Sequence, residues 1–178
     1  MPDLYNWIDT EGGPFLLLAE ELLPSWRGTE GWSFETHGED ESDYSRACDT
    51  TDWIGRIRCG GNEAYVLGGD VGPISWITSK DLAGGFLVQW LGVDDEAHII
   101  PALLSKQFEE LVSSESAEHI LIEIGEPGNL KIIQAADTGS NLKSPNLSIN
   151  LKSGTYCASS VYFETETLMI VVRRLEFQ

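Results

Sequence analysis

Glycine pairs and prolines cut the first two thirds of this chain into apolar runs too short for ordinary helices: Gly12-Gly13-Pro14, Gly60-Gly61, Gly68-Gly69, Gly72-Pro73 and Gly84-Gly85. Glycine reaches backbone conformations that other residues avoid and proline interrupts hydrogen-bonded ladders, so segments bounded this way read as strands joined by tight turns. Strands are expected over residues 15–19, 53–58, 64–67 and 86–91 in this part, and over 120–124, 130–135, 147–151, 155–163 and 168–175 in the last third. Leu147-x-Ile149-x-Leu151 alternates strictly, as a strand with one buried face should.

One stretch carries a helical period. Ala97, Ile100, Leu104, Phe108 and Leu111 recur at spacings of three and four, after an acidic Asp94-Asp95-Glu96 that suits a helix start. Pro101 removes a backbone donor, so the helix either kinks there or begins its regular part near it. Residues 42–48 add a short helical turn that puts Tyr44, Ala47 and Cys48 on one face. Strands, then a helix, then more strands predict an α+β fold of mainly antiparallel β strands with one principal helix near 95–112. At 178 residues the chain suits a single domain, 1–178, with one substantial core. A strand, a glycine turn and a further strand recur in both halves. This reads either as two related β units, 1–93 and 118–178, joined by the helical segment, or as the common composition of β proteins.

Charge is distributed unevenly along the sequence. The first 126 residues hold 25 acidic and six basic residues, a net of minus 19; the last 52 hold four and five, a net of plus one. With 42% hydrophobic residues and six Trp, five Tyr and six Phe, the acidity decorates a globular body and not a disordered acidic tail. A one-signed field steers association, so a cationic partner is expected and nucleic acid and membrane are not. The start of the chain lacks a positive segment followed by an apolar run, and no run approaches the roughly 20 apolar residues of a membrane helix. Cys48, Cys59 and Cys157 form neither CxxC pairs nor a small disulfide framework, and reduced thiols fit the cytoplasm. Cys48 and Cys157 are expected as small buried side chains, and Cys59, before Gly60-Gly61, as an exposed turn residue.

Motifs for chemistry are missing. His37, His98 and His119 do not have the three-to-five-residue spacing of zinc ligands, and no HExxH or calcium loop occurs. No serine lies in a GxSxG elbow. Gly68-Gly69-Asp70-Val71-Gly72 lacks the Lys-Ser/Thr of a phosphate loop, and turn glycines account for it better. No metal, no organic cofactor and no catalytic residue is therefore expected. The enzyme alternative is a small acidic hydrolase acting on glycans through two carboxylates roughly 5 to 9 Å apart. Among 29 acids some pair will always be close, so the sequence cannot select one.

The densest acidic segment, residues 35–43, carries five acids in nine positions, beside Trp32 and Phe34. A charge run is usually a solvated face. Aromatic anchors next to charge are also what interface cores use, which makes Trp32, Phe34, Glu35, Glu39, Asp40, Glu41 and Asp43 the candidate partner-binding residues.

Trp7-Ile8-x-Thr10-Glu11-Gly12-Gly13-Pro14, Leu22-Leu23-Pro24-x-Trp26-x-Gly28, Asp43-Tyr44-x-x-Ala47-Cys48, Val66-Leu67-Gly68-Gly69 and Gly84-Gly85-x-x-x-x-Trp90 together resemble the twenty-first immunity protein family of bacterial polymorphic toxin systems. The resemblance extends to Gly154-Thr155-Tyr156 and the strand at 168–175, nearly the whole chain. It implies a cytosolic, non-catalytic antidote that binds a cognate toxin protein, with the tryptophans and paired glycines as fold determinants, because toxin-facing surfaces vary with the toxin. A basic nuclease toxin would agree with the acidity.

Overall fold

The computed structural model describes residues 5–30, 42–69, 72–93 and 95–178. The architecture is α+β and mainly antiparallel, as expected. The strands are β1 (Phe15–Ala19), β2 (Gly55–Cys59), β3 (Asn62–Leu67), β4 (Ile74–Ser79), β5 (Gly84–Val93), β6 (Glu118–Ile124), β7 (Asn129–Gln134), β8 (Leu147–Asn150), β9 (Gly154–Glu164) and β10 (Leu168–Phe177). The helices are α1 (Asp43–Cys48), α2 (Ile99–Leu103) and α3 (Lys106–Val112), with 3-10 turns at Glu20–Ser25 and Glu96–His98. They form two compact units. The first comprises Met1–Asp9, Gly72–Gly125 and Leu151–Gln178, the second Thr10–Val71 and Glu126–Asn150. Each of the segments 1–93 and 118–178 contributes strands to both units.

In the second unit five antiparallel strands lie in the order β2-β3-β1-β7-β8. β1 is central, between β3 and β7, and Phe15, Leu16, Leu17 and Leu18 are all buried. A strand covered on both faces reads as a continuous apolar run instead of an alternating one. β8, at the edge, does alternate, with Leu147 and Ile149 buried and Ser148 and Asn150 exposed. The core of this unit gathers Leu16, Leu18, Leu22, Trp26, Ala47, Ile57, Ala64, Val66 and Ile133. Trp26 is fully buried and its indole Nε1 donates to the Ala135 carbonyl at 2.9 Å. Gly28, at φ +56°, sits where a Cβ would run into the backbone carbonyls of Ala136 and Asp137, so glycine is needed there for both conformation and space.

The first unit has the order β4-β5-β10-β9-β6, again antiparallel throughout. α2 and α3 cover one face of this sheet. Ile99, Leu103, Phe108 and Val112 from the helices pack with Ile77, Phe86, Val88, Val161, Phe163, Leu168, Ile170 and Val172 from the strands. Phe108 lies between two rings, edge-on to Phe86 (centroids 6.1 Å apart) and to Phe163 (5.6 Å). On the other face Arg173 is fully buried, donating to Gln89 Oε1 at 3.1 Å. Burial pulls its guanidinium pKa down to about 9, with Glu118 acting in the opposite direction, so it stays charged at neutral pH.

Three expectations need correction. The single helix near 95–112 is a 3-10 turn and two short helices, broken at Leu104. Pro101 falls in the first turn of α2, where its missing N–H costs nothing, and the break comes later because Ser105 caps α3, its side chain accepting from Phe108 N at 3.1 Å. The inward stripe is correspondingly re-phased: Ile99 and Leu103, then Phe108 and Val112, are buried, while Ile100 and Leu104 of the expected stripe are 36% and 76% exposed. The thiols are also reversed. Cys48 is exposed and Cys157 half-buried, whereas Cys59 is buried, its Sγ 3.6 Å from the Leu22 carbonyl; burial, reinforced by Asp43 and opposed by Arg46, raises its pKa. Strand β4, finally, lies outside every run read from the sequence.

Candidate interaction surfaces

Of the seven candidate binding residues, Trp32, Phe34, Glu35, Glu39, Asp40 and Glu41 lie outside the described residues, as does His37. Asp43 opens α1. Ser42 caps that helix by accepting from Ser45 N at 3.0 Å, and the Asp43 carboxylate accepts from Arg27 N at 2.8 Å and pairs with Arg46. This carboxylate therefore ties α1 to the segment after Trp26. Arg46 also reaches the Arg58 carbonyl at 3.2 Å, which links α1 to β2.

Folding removes the charge asymmetry of the sequence. The spans of the first unit hold fourteen acidic and five basic residues, those of the second fifteen and six, leaving a net of minus nine on each. The evenness arises because the chain passes repeatedly from one unit to the other. Lys152, Arg173 and Arg174 from the C-terminal strands join the first unit, and Lys131 and Lys143 join the second.

Two recesses stand out. In the second unit Glu20, Glu21, Glu126, Pro127 and Asn129 surround a hollow of about 510 Å³, with Glu20 Oε1 3.8 Å from Lys131 Nζ. In the first unit a groove of about 410 Å³ runs beside α2 and α3. Its lining includes Leu82, Phe86, Leu103 and Phe108, and Leu104 stands exposed at its wall. Asp81, Lys106, Glu109 and Arg174 supply charge around it. Arg174 Nη1 donates to both carboxylate oxygens of Glu109 (2.9 and 3.1 Å) and its Nη2 to Glu176 at 3.1 Å, while Lys106 pairs with Glu110 at 3.0 Å. The sequence pattern singles out Phe86, Leu104 and Phe108 as strand and helix positions, and none of the lining as part of a groove. The usable signal was Ser105, a capping residue three positions before Phe108, which implies a helix restart.

One polar cluster has the residue types of nucleophilic chemistry. His119 Nδ1 is 3.0 Å from Ser159 Oγ, which is 3.8 Å from Cys157 Sγ. Ser159 is only 4% exposed, and its contact with His119 ties β6 to β9. Among the described residues no group of three or more His, Cys, Asp or Glu is placed to hold a metal ion, and no helix is long and apolar enough to cross a membrane.

The residues of the recurring motifs have structural work. Trp26 and Gly28 hold the second unit as described above. A Cβ on Gly84 or Gly85 would strike the Leu175 or Ile77 carbonyl, so both are required for the close approach of β5 to its neighbours. Trp90 meets Trp7 edge-on at 5.3 Å, and Trp7 Nε1 donates to Glu96 Oε1 at 2.8 Å. A family model described as Immunity protein 21 matches residues 6–168. No curated protein and no solved structure matches the chain.

Proposed function

The chain belongs to the immunity protein 21 family, and on that premise we propose that it neutralises its cognate toxin by binding the toxin domain and covering its active or substrate-binding surface, with no turnover of its own. Charge carries the step to the chemistry of the partner. With minus nine on each unit, either unit presents an acidic field to whatever approaches. A basic toxin domain is the partner that such a field attracts and orients. Nucleases hold their polyanionic substrate on Lys- and Arg-rich surfaces that an acidic protein can occupy, so the toxin is taken to be a nuclease. The cell of action is bacterial and the compartment cytoplasmic, within a polymorphic toxin system.

In this proposal the acidic segment 35–43, with Trp32 and Phe34, provides the steering element. Replacing Glu39, Asp40 and Glu41 by their amides, and leaving Asp43 to its structural contacts with Arg27 and Arg46, should slow association several-fold and flatten its salt dependence. The decisive test is co-expression with the product of the adjacent gene. Co-purification, rescue of growth and intact cellular nucleic acid support the proposal. A neighbour that is not toxic, or a toxic one that neither co-purifies nor is neutralised, rules it out; a neutralised toxin that leaves nucleic acid untouched rules out only the nuclease.

A further inference from the structure

The re-phasing of the helical segment leaves Ile100 and Leu104 exposed among the described residues. Ile99 and Leu103 of α2 and Phe108 and Val112 of α3 are buried. Ser105 restarts the helix one step out of phase, which turns Ile100 and Leu104 outward, four residues apart on one face. Leu104, at 76% exposure, borders the groove, whose other apolar residues are Leu82, Phe86, Leu103 and Phe108. Single exposed leucines are ordinary; this one stands on the lip of a groove whose floor residues Phe86, Leu103 and Phe108 are buried, so Leu104 and the half-buried Leu82 supply the apolar area a partner would meet there.

The charges around the groove say what would fit. Glu109 is held by Arg174 and Lys106 by Glu110, so these four largely neutralise one another. Asp81 is exposed and in no ion pair among the described residues. The groove is therefore mainly apolar, its lining charges balance in sign, and Asp81 is the lining carboxylate in no ion pair among the described residues, in a unit of net charge minus nine.

We infer that this groove is an anchor site for the toxin domain and takes a segment in which a large apolar side chain stands next to lysine or arginine, the apolar group packing against Leu104 over Phe86 and Leu103 and the cation meeting Asp81. The inference rests on the immunity reading and adds to it: a steering field sets the rate of encounter, and a buried anchor sets how long the complex lasts.

The test measures binding of the catalytically inactivated toxin domain from the adjacent gene to the full chain and to three variants. Leu104→Asp lies at an exposed position, and an unchanged urea midpoint confirms its fold. It is expected to raise the dissociation rate by roughly 30-fold, the equivalent of losing a hot-spot residue. Asp81→Lys, at a turn, is expected to weaken binding with a reduced salt dependence, and supplies the answer should Leu104→Asp fold poorly. Leu121→Asp, on β6 and 52% exposed in the same unit, is the control and should bind as the wild type does. Unchanged kinetics in the Leu104 and Asp81 variants, or a larger loss in the Leu121 variant, overturns the groove while leaving the immunity reading intact. Failure of the wild type itself to bind the toxin domain overturns that reading and the groove with it. A concentration-dependent dimer in sedimentation that Leu104→Asp abolishes would make the occupant a second copy of the chain and overturn the inference.

Discussion

Phe108 is the side chain on which the helical cover of the first unit depends, and its replacement gives a magnitude that can be checked. It is fully buried and edge-on to Phe86 and Phe163. Truncating a buried phenylalanine to alanine costs about 3–5 kcal/mol through lost burial and the cavity left behind. Each edge-to-face pair contributes about 0.5–1.5 kcal/mol beyond area. Phe108→Leu refills most of the volume and loses both pairs, so it should cost about 1–3 kcal/mol; Phe108→Ala should reach the full figure. For a chain of this size the alanine variant should melt about 6–20 °C lower, at about 2–4 °C per kcal/mol. The assay is urea unfolding followed by tryptophan fluorescence, with hydrogen exchange on α3 as a local readout. An alanine variant that loses less than about 1 kcal/mol, against the usual range for such sites, would show that Phe108 is not the packed centre described. Equal losses for leucine and alanine would remove the ring pairs from the account.

Other positions give shorter tests. Trp26→Phe deprives the buried Ala135 carbonyl of its 2.9 Å donor and should cost about 1–3 kcal/mol in urea unfolding; a loss near zero would mean that another donor replaces the indole. Tyr156 donates to the Ala83 and Lys152 carbonyls at 3.2 and 3.1 Å, and burial raises its phenol pKa above the usual 10. A raised folded pKa contributes stability that is complete below the unfolded value and lost as pH rises through the folded one, so the advantage of wild type over Tyr156→Phe, about 1–2 kcal/mol at pH 7, should shrink above pH 10. A gap that stays constant to pH 11 in urea titrations contradicts this. Thiol labelling with mass detection should modify Cys48 in the native protein and Cys59 only after unfolding; native labelling of Cys59 first would reverse the assignment.

The sequence was most readable where local chemistry and tertiary burial agree. Phe15-Leu16-Leu17-Leu18 reads as a strand because a strand covered on both faces needs no polar residues, and β1 is the central strand of its sheet. β4 was missed because Ile74-Ser75-Trp76-Ile77-Thr78-Ser79 neither runs apolar nor alternates; Ser75 is buried beside Ile74, and pairing with β5 decides the segment. Charge misled for a topological reason. Linear counting assigns minus 19 to one part of the chain, but β9 and β10 return to the first unit and β7 and β8 to the second, which gives both the same net charge.

The helical segment shows how one local signal changes a functional conclusion. A period drawn through Ala97, Ile100, Leu104 and Phe108 presumes that the helix is continuous, and it buries Leu104. Ser105 contradicts that presumption, since a serine three residues ahead of Phe108 offers the hydroxyl that caps a new helix. Once the restart is admitted, Ile99 and Leu103 pair at four residues, as do Phe108 and Val112, and the five-residue gap between the two pairs absorbs the change of phase. Ile100 and Leu104 are then surplus to the core. Leu104 then adds little to the core, and under the inference above it is the side chain that the toxin domain covers.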